Sequence, residues 1–198
     1  MLVIGITGGT GVGKSTLLAV LEKKGAYIID CDAVYHDMLR TSDEMTRAIK
    51  ERFPEAYESG TLDTKALGSI VFEDAEALDQ LKKITHPRIV SRVEDMLEKQ
   101  SQKGTSLAAV DAYGLKESGL SDICDVTVAV TAPDNLRVRR IMARDGIDES
   151  YAVHRIRSQK SSAEYAAECD ITLENNFASI QEFEKRCEEF INNIIMEG

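Results

Sequence analysis

Residues 2–16 read LVIGITGGTGVGKST, and the fold of the whole chain is decided there. Gly8, four intervening residues, then Gly13, Lys14 and Ser15 complete the pattern G-x-x-x-x-G-K-[ST] without a gap. Leu2-Val3-Ile4-Gly5-Ile6 before it is a short apolar run with the composition of a buried parallel strand. Leu17, Leu18, Val20 and Leu21 after it recur at helical spacing, which sets Lys14 and Ser15 in the first turn of a helix. Strand, glycine loop and helix together make a phosphate-binding loop. Its backbone N–H groups converge on phosphate oxygens, helped by the positive end of the helix dipole. Gly9, Thr10, Gly11, Val12, Gly13, Lys14, Ser15 and Thr16 are therefore the candidate nucleotide contacts. The Lys14 ammonium is suited to the β- and γ-phosphates and the Ser15 hydroxyl to Mg²⁺.

Working outward, the 198 residues suit one domain, or one domain with an insertion, and suffice for a proper core. The formal net charge of −10 argues against a general nucleic-acid surface. The four cysteines are widely spaced with no C-x-x-C, as expected of a reduced cytoplasmic protein. No apolar run approaches membrane-spanning length, and the chain enters its first strand without room for a signal peptide.

Gly25 ends the first helix, and Ala26-Tyr27-Ile28-Ile29 reads as a second strand that delivers Asp30-Cys31-Asp32. In open α/β sheets the ligand crevice lies beyond the carboxyl ends of the strands, so a carboxylate there is placed for chemistry. An aspartate there also caps a following helix well, a task that needs only one of the two. From Asp37 to about Lys103 the patterning is helical with no clear strand. It is interrupted at Pro54, at a turn over Glu58–Asp63, at Glu73-Asp74 and at Thr85-His86-Pro87. Such an interval predicts a helical subdomain.

Leu107–Asp111 is the next strand, and its terminal Asp111 occupies the position of a Mg²⁺-assisting Walker B carboxylate. Val126–Val130 is another. Pro133-Asp134 opens a helix with Arg137, Arg139, Arg140 and Arg144, and a helix from about Glu149 carries Arg155, Arg157 and Lys160. Clustered arginine forks suit phosphate oxygens, so this pair has the character of a kinase lid. A solvated charged face would use the same residue types. Cys169–Leu173 is the last strand expectation and Phe177–Ile195 a closing amphipathic helix.

With these residues in view the chain resembles the dephospho-CoA kinase family over nearly its full length. The pieces are ITGGTGVGKST, GAYIIDCDAV, SGTLDTKALGSIVF, THPRI, VDAYGLKESGL, RRIMARDGI, RIRSQ and CDITLENN, in that order. The resemblance implies an α/β P-loop NTPase-type three-layer sandwich with a parallel sheet. Core segments would be 1–36, 104–133 and 166–198, with a helical acceptor subdomain at about 37–103 and a lid at about 134–165. It implies a phosphotransferase that uses ATP with Mg²⁺ to phosphorylate the ribose 3′-hydroxyl of dephospho-CoA. The partner would be that small molecule alone, with no nucleic acid or membrane, and the protein a cytoplasmic monomer or weak homo-oligomer.

Carried over by position, Asp32 is the general base, with Lys14 and Arg140 also catalytic. Arg144 and Asn175 lie at the nucleotide, and Asn175 belongs to the segment beside the adenine. Lys65, His86 and Glu117 serve the acceptor, and Ser15 and Asp111 the metal. The chain departs from the family pattern in Tyr113-Gly114-Leu115-Lys116-Glu117, where Pro-Leu-Leu-Phe-Glu is usual and only Leu115 and Glu117 are kept. Further departures are Lys65 for an arginine, Tyr165 for a basic residue and Phe177 for a glycine. They fall around acceptor and adenine rather than the phosphate loop. A related kinase with another nucleotide or small alcohol as acceptor therefore stands as the alternative. An inactive nucleotide-binding protein is the third reading, opposed by the presence of Asp32, Lys14, Ser15, Asp111 and Arg140.

Overall fold

A computed structural model of the chain describes residues 1–58 and 60–197. It divides into two compact units, one formed by Met1–Ile29 with Glu98–Gly198 and the other by Asp30–Leu97.

The larger unit is organised on a sheet in the order β2-β5-β1-β6-β7. Its strands are β1 (Leu2–Thr7), β2 (Tyr27–Asp30), β5 (Leu107–Asp111), β6 (Val126–Thr131) and β7 (Ile171–Glu174). β1 pairs in parallel with β5 on one side, from Leu2↔Leu107 to Ile6↔Asp111, and with β6 on the other, from Ile4↔Val126 to Thr7↔Ala129. β6 pairs in parallel with β7, from Val128↔Ile171 to Thr131↔Glu174. A central strand covered on both faces must be apolar throughout, and Val3, Ile4 and Ile6 of β1 are buried as that requires. The covering layers include α1 (Lys14–Lys23) and α9 (Ile180–Glu197). Leu17, Val20 and Leu21 of the first and Phe183, Cys187 and Ile191 of the second join Ile4, Ile6, Val128 and Val130 in one core. α6 (Asp134–Asp145) and α7 (Glu149–Arg157) pack on each other through Ile141, Ala152 and Ile156, and α8 (Ser162–Ala167) follows with a capping box between Ser161 and Glu164.

The smaller unit holds α2 (Cys31–Thr41), α3 (Asp43–Arg52), α4 (Thr64–Glu73) and most of α5 (Ala75–Gln102). Met45, Ile49 and Phe53 recur every fourth residue and are fully buried beside the buried Ala56.

Five sequence expectations are corrected. The helical interval begins at Cys31 rather than Asp37, because Asp30 accepts from the amides of Asp32 at 2.9 Å and Ala33 at 3.0 Å and so caps α2 at once. The interval is not free of strand: β3 (Tyr57–Glu58) and β4 (Thr61–Leu62) form a small antiparallel hairpin, too short to show an alternation. Ser59, in the turn read from the sequence, lies outside the described residues. Thr85-His86-Pro87 does not end a helix, since α5 runs through Pro87. Around it the Thr85 hydroxyl donates to the Leu81 carbonyl at 2.9 Å and Arg88 Nη1 to the Ile84 carbonyl at 2.7 Å, so side chains supply bonds beside the residue that lacks an amide. Fourth, β7 begins at Ile171, with the Asp170 amide donating to the Thr127 hydroxyl at 2.9 Å, and fifth, the closing helix begins at Ile180 instead of Phe177.

Candidate active site

The glycine loop leaves β1 at Thr7, whose hydroxyl donates to the Tyr113 carbonyl at 3.0 Å. It enters α1 through Gly13, which has φ +105° and offers the helix no side-chain cap. An uncapped helix start leaves its first-turn amides for an anion. A Cβ on Gly13 would meet Asn175 Nδ2 at 2.5 Å, so the loop is moulded against that residue.

Asn175 is buried and holds the loop from the end of β7. Its Nδ2 donates to the Val12 carbonyl at 2.7 Å, and its own amide donates to the Thr131 carbonyl at 2.7 Å. From α6, Arg140 spreads its fork over the same neighbourhood. Nη1 donates to the Gly11 carbonyl at 3.2 Å, and Nη2 to Asn175 Oδ1 at 3.0 Å and the Phe177 carbonyl at 2.9 Å. Burial lowers this guanidinium from its ordinary pKa. One turn on, Arg144 reaches Thr10 Oγ1 at 3.4 Å while Nε pairs with Asp145 at 2.7 Å. Asp145 also accepts from Arg155 of α7 at 2.6 Å, and Arg144 first, then Arg155, hold its carboxyl down at about 2.

The parallel register brings Asp111, at the end of β5, level with Ile6 at the root of the loop. There Lys14 Nζ lies 3.1 Å from Asp111 Oδ1, each side chain 20% exposed. A cavity of about 690 Å³ opens over these groups, lined by residues 9–11 and 13–16 of the loop together with Asp111, Arg140, Arg144 and Asn175, while the Val12 side chain is buried in the core. Its apolar wall includes Leu18, Ile180 and Phe183. Cations on two arginines and a lysine, uncapped amides and a mixed wall suit a nucleoside polyphosphate. For a divalent metal the oxygen donors are the exposed Ser15 hydroxyl and the Asp111 carboxylate. Two protein oxygens fit Mg²⁺, which keeps waters and shares phosphate oxygens rather than sitting in an all-protein cage. No cluster of three or more acidic, histidine or cysteine side chains that could hold a metal occurs among the described residues.

The remaining sequence candidates are distributed as follows. Glu117 accepts an ion pair from Lys160 at 2.7 Å, and Lys160 also binds Glu168 at 2.7 Å. Burial works against that ammonium, but its bonds to Glu117 and Glu168 prevail and raise its pKa. In the smaller unit, Asp32 is exposed in the first turn of α2, where Asp30 does the capping. Lys65 is exposed in the first turn of α4, and the half-buried His86 stands mid-way along α5.

Sequence reasoning left two loop partners out of the site. Arg137 of α6 donates from Nε to the Thr10 carbonyl at 2.9 Å, and Gln159 Oε1 accepts from the Thr10 amide at 2.8 Å. Arg137 stood out only as one arginine of a basic helix, and nothing in the spacing marks it as the fully buried one. Gln159 ends the RIRSQ piece of the resemblance, but nothing in that piece gives the glutamine a role of its own.

Comparison with known proteins agrees with this geometry. The family model described as dephospho-CoA kinase matches residues 2–182. The dephospho-CoA kinase of Geobacter sulfurreducens is 37% identical over 191 residues, 96% of either chain. Among solved structures, a Thermus thermophilus protein superposes with a TM-score of 0.76 at 33% identity, covering 99% of this chain and 97% of its own. The dephospho-CoA kinase of Campylobacter jejuni does so with a TM-score of 0.70 at 25% identity, covering 97% and 96%. The chain belongs to the dephospho-CoA kinase family of P-loop kinases.

Proposed function

We propose that this chain transfers the γ-phosphate of ATP to the ribose 3′-hydroxyl of dephospho-CoA, giving coenzyme A and ADP, with Asp32 as the general base. ATP-dependent phosphorylation of dephospho-CoA is the activity of the family to which the chain belongs. The observation that carries the assignment to this cavity is the glycine loop opening onto an uncapped α1, with Lys14 and Asp111 3.1 Å apart at its floor.

In this scheme the loop amides from Gly11 to Thr16 bind and orient the phosphates, and Lys14 and Arg144 offset the charge that spreads over the transferred group. Arg140 acts by holding the Gly11 and Asn175 segments together around the nucleotide. Ser15 and Asp111 would hold Mg²⁺, which when bound supplies charge neutralisation across the phosphate oxygens. Asp32 orients the acceptor hydroxyl and takes its proton. Its exposed carboxylate supports that role, because Asp30 already serves the helix cap. Lys65, His86 and Glu117 are assigned to the acceptor by family position. A net charge of −10 supports a small-molecule partner over nucleic acid or an anionic membrane. No helix among the described residues is long and apolar enough to cross a membrane, and we place the protein in the cytoplasm as a monomer or weak oligomer.

An ADP-release assay with Mg·ATP, dephospho-CoA and a panel of nucleosides and pantetheine compounds tests the scheme. Turnover on dephospho-CoA is expected. Turnover only on another alcohol would favour an altered acceptor, the reading that the departures at Tyr113 and Tyr165 bring forward. Asp32→Asn should keep ATP binding while transfer falls by about 10²–10⁴, the usual contribution of a general base. An active Asp32→Asn beside a dead but folded Asp30→Asn would move the base to the other carboxylate.

A further inference from the structure

The guanidinium of Arg137 is only 1% exposed, and a buried cation needs an acceptor for each arm of its fork. Nε donates to the Thr10 carbonyl at 2.9 Å, Nη1 to Asp134 Oδ1 at 3.0 Å and Nη2 to Gln159 Oε1 at 3.4 Å. The same Gln159 oxygen accepts from the Thr10 amide at 2.8 Å. Thr10 is thus gripped at both of its peptide groups by two side chains that bond each other. The neighbouring residue makes room for them. A Cβ on Gly9 would fall 2.5 Å from Arg137 Nη2 and 3.0 Å from Gln159 Oε1. Gly9 is not in the left-handed region, so what it needs is close approach by the clamp rather than an unusual backbone.

We propose that Arg137 and Gln159 are positioning residues for the nucleotide loop, which fix Thr10 and withhold its N–H from phosphate, so that the phosphate-facing amides begin at Gly11. This revises the sequence expectation that Thr10 binds nucleotide through its backbone, and leaves it only the hydroxyl that faces Arg144 at 3.4 Å. The clamp also has a direction. Arg137 belongs to α6 and Gln159 lies two residues beyond the end of α7, so the pair that sets the loop is itself set by the packing of those two helices through Ile141, Ala152 and Ile156. The loop arrives at the nucleotide with its outer turn already ordered, which lowers the ordering cost of binding.

The proposal rests on the loop being the nucleotide site, and amide exchange measured residue by residue separates the two claims. In nucleotide-free protein the Thr10 amide should be protected and the Gly11–Ser15 amides should exchange freely. Adding Mg·ADP should protect Gly11–Ser15 and leave Thr10 unchanged. Gln159→Leu, which keeps bulk but removes the acceptor, should expose the Thr10 amide and weaken ADP binding about tenfold, the effect of one lost buried hydrogen bond. The KM for ATP should rise in step while the KM for dephospho-CoA and the far-UV circular dichroism stay constant. Gln159→Glu retains an acceptor oxygen and should restore both protection and affinity. A Thr10 amide that becomes protected only when ADP is added would overturn the clamp, as would Gln159→Leu with unaltered ADP affinity. Failure of ADP to protect any loop amide would overturn the nucleotide assignment instead, with the clamp judged on Thr10 exchange in nucleotide-free Gln159→Leu.

Discussion

At Gly13 backbone conformation, packing and the shape of the candidate cavity meet in one residue. Its φ of +105° is one that a residue with a Cβ adopts only under strain, and that Cβ would displace the Asn175 amide, which bonds Val12 and Arg140 together. Gly13→Ala is therefore expected to cost roughly 1–3 kcal/mol of stability. It should also weaken ADP binding more than it shifts the melting temperature, since the displaced group shapes the cavity. Calorimetric titration beside thermal unfolding checks this, and a variant that binds ADP normally would show that Asn175 can yield without disturbing the loop. The same scale explains three of the departures from the family pattern. Tyr113 and Tyr165 stand edge to face, with ring centroids 5.9 Å apart, so substitutions 52 positions apart in sequence form a single contact. Phe177 likewise lies against Phe183, at 6.2 Å, while its carbonyl still accepts from Arg140. Each change is accommodated by a neighbour, and none falls on the loop itself.

Among the elements, α5 departs furthest from expectation, because it passes through a proline. A proline inside a helix forfeits one backbone bond and crowds the carbonyl four residues earlier. Pro87 is exposed, so packing does not require its ring. Pro87→Ala should accordingly stabilise the helix by about 1–3 kcal/mol, less than or equal to the full propensity difference. Thermal unfolding reads the gain as a higher Tm, and a lower Tm would mean that the proline fixes a backbone shape the smaller unit depends on. Elements with a strong local signal were legible from sequence. β1, β5 and β6 are apolar runs of β-forming residues, and their bounds follow the sequence expectation to within a residue or so. What escaped was structure whose cause lies outside the local pattern. A two-residue hairpin has no period to detect, and a helix carried through Pro87 is held by flanking side-chain bonds and a buried face that the breaker residue conceals.

For the whole molecule, the sulfur chemistry is a sensitive report of the packed state. All four cysteines are free thiols, with Cys31 and Cys187 buried. Burial first of all pushes Cys124 and Cys187 up to about 12, and raises Cys169 as well. A thiol at such a value is ionised to only about one part in ten thousand at pH 8, and the thiolate is the reactive form. The native protein should thus react slowly with Ellman's reagent at pH 8, and release the equivalent of all four thiols once denatured. A fast-reacting cysteine in the native protein would contradict the packing around it. Much of the candidate cavity was legible at this scale because its loop is contiguous in sequence and because Asp111 ends an unmistakable strand. Arg137 and Gln159 were not, since their partners lie 127 and 149 positions away and only their contacts in the fold distinguish them from ordinary polar residues. That separation has a further consequence during synthesis. β1 leaves the ribosome well before either of its neighbours, since Leu107 is to face Leu2 and Val126 to face Ile4. At about 5–20 residues per second the interval before the first partner emerges is on the order of 5–20 s. β2 cannot close the gap, because β5 must be inserted between it and β1. The nascent chain therefore carries an unpaired apolar strand throughout that interval, and the loop attached to it gains its last partner only once Asn175 has been made.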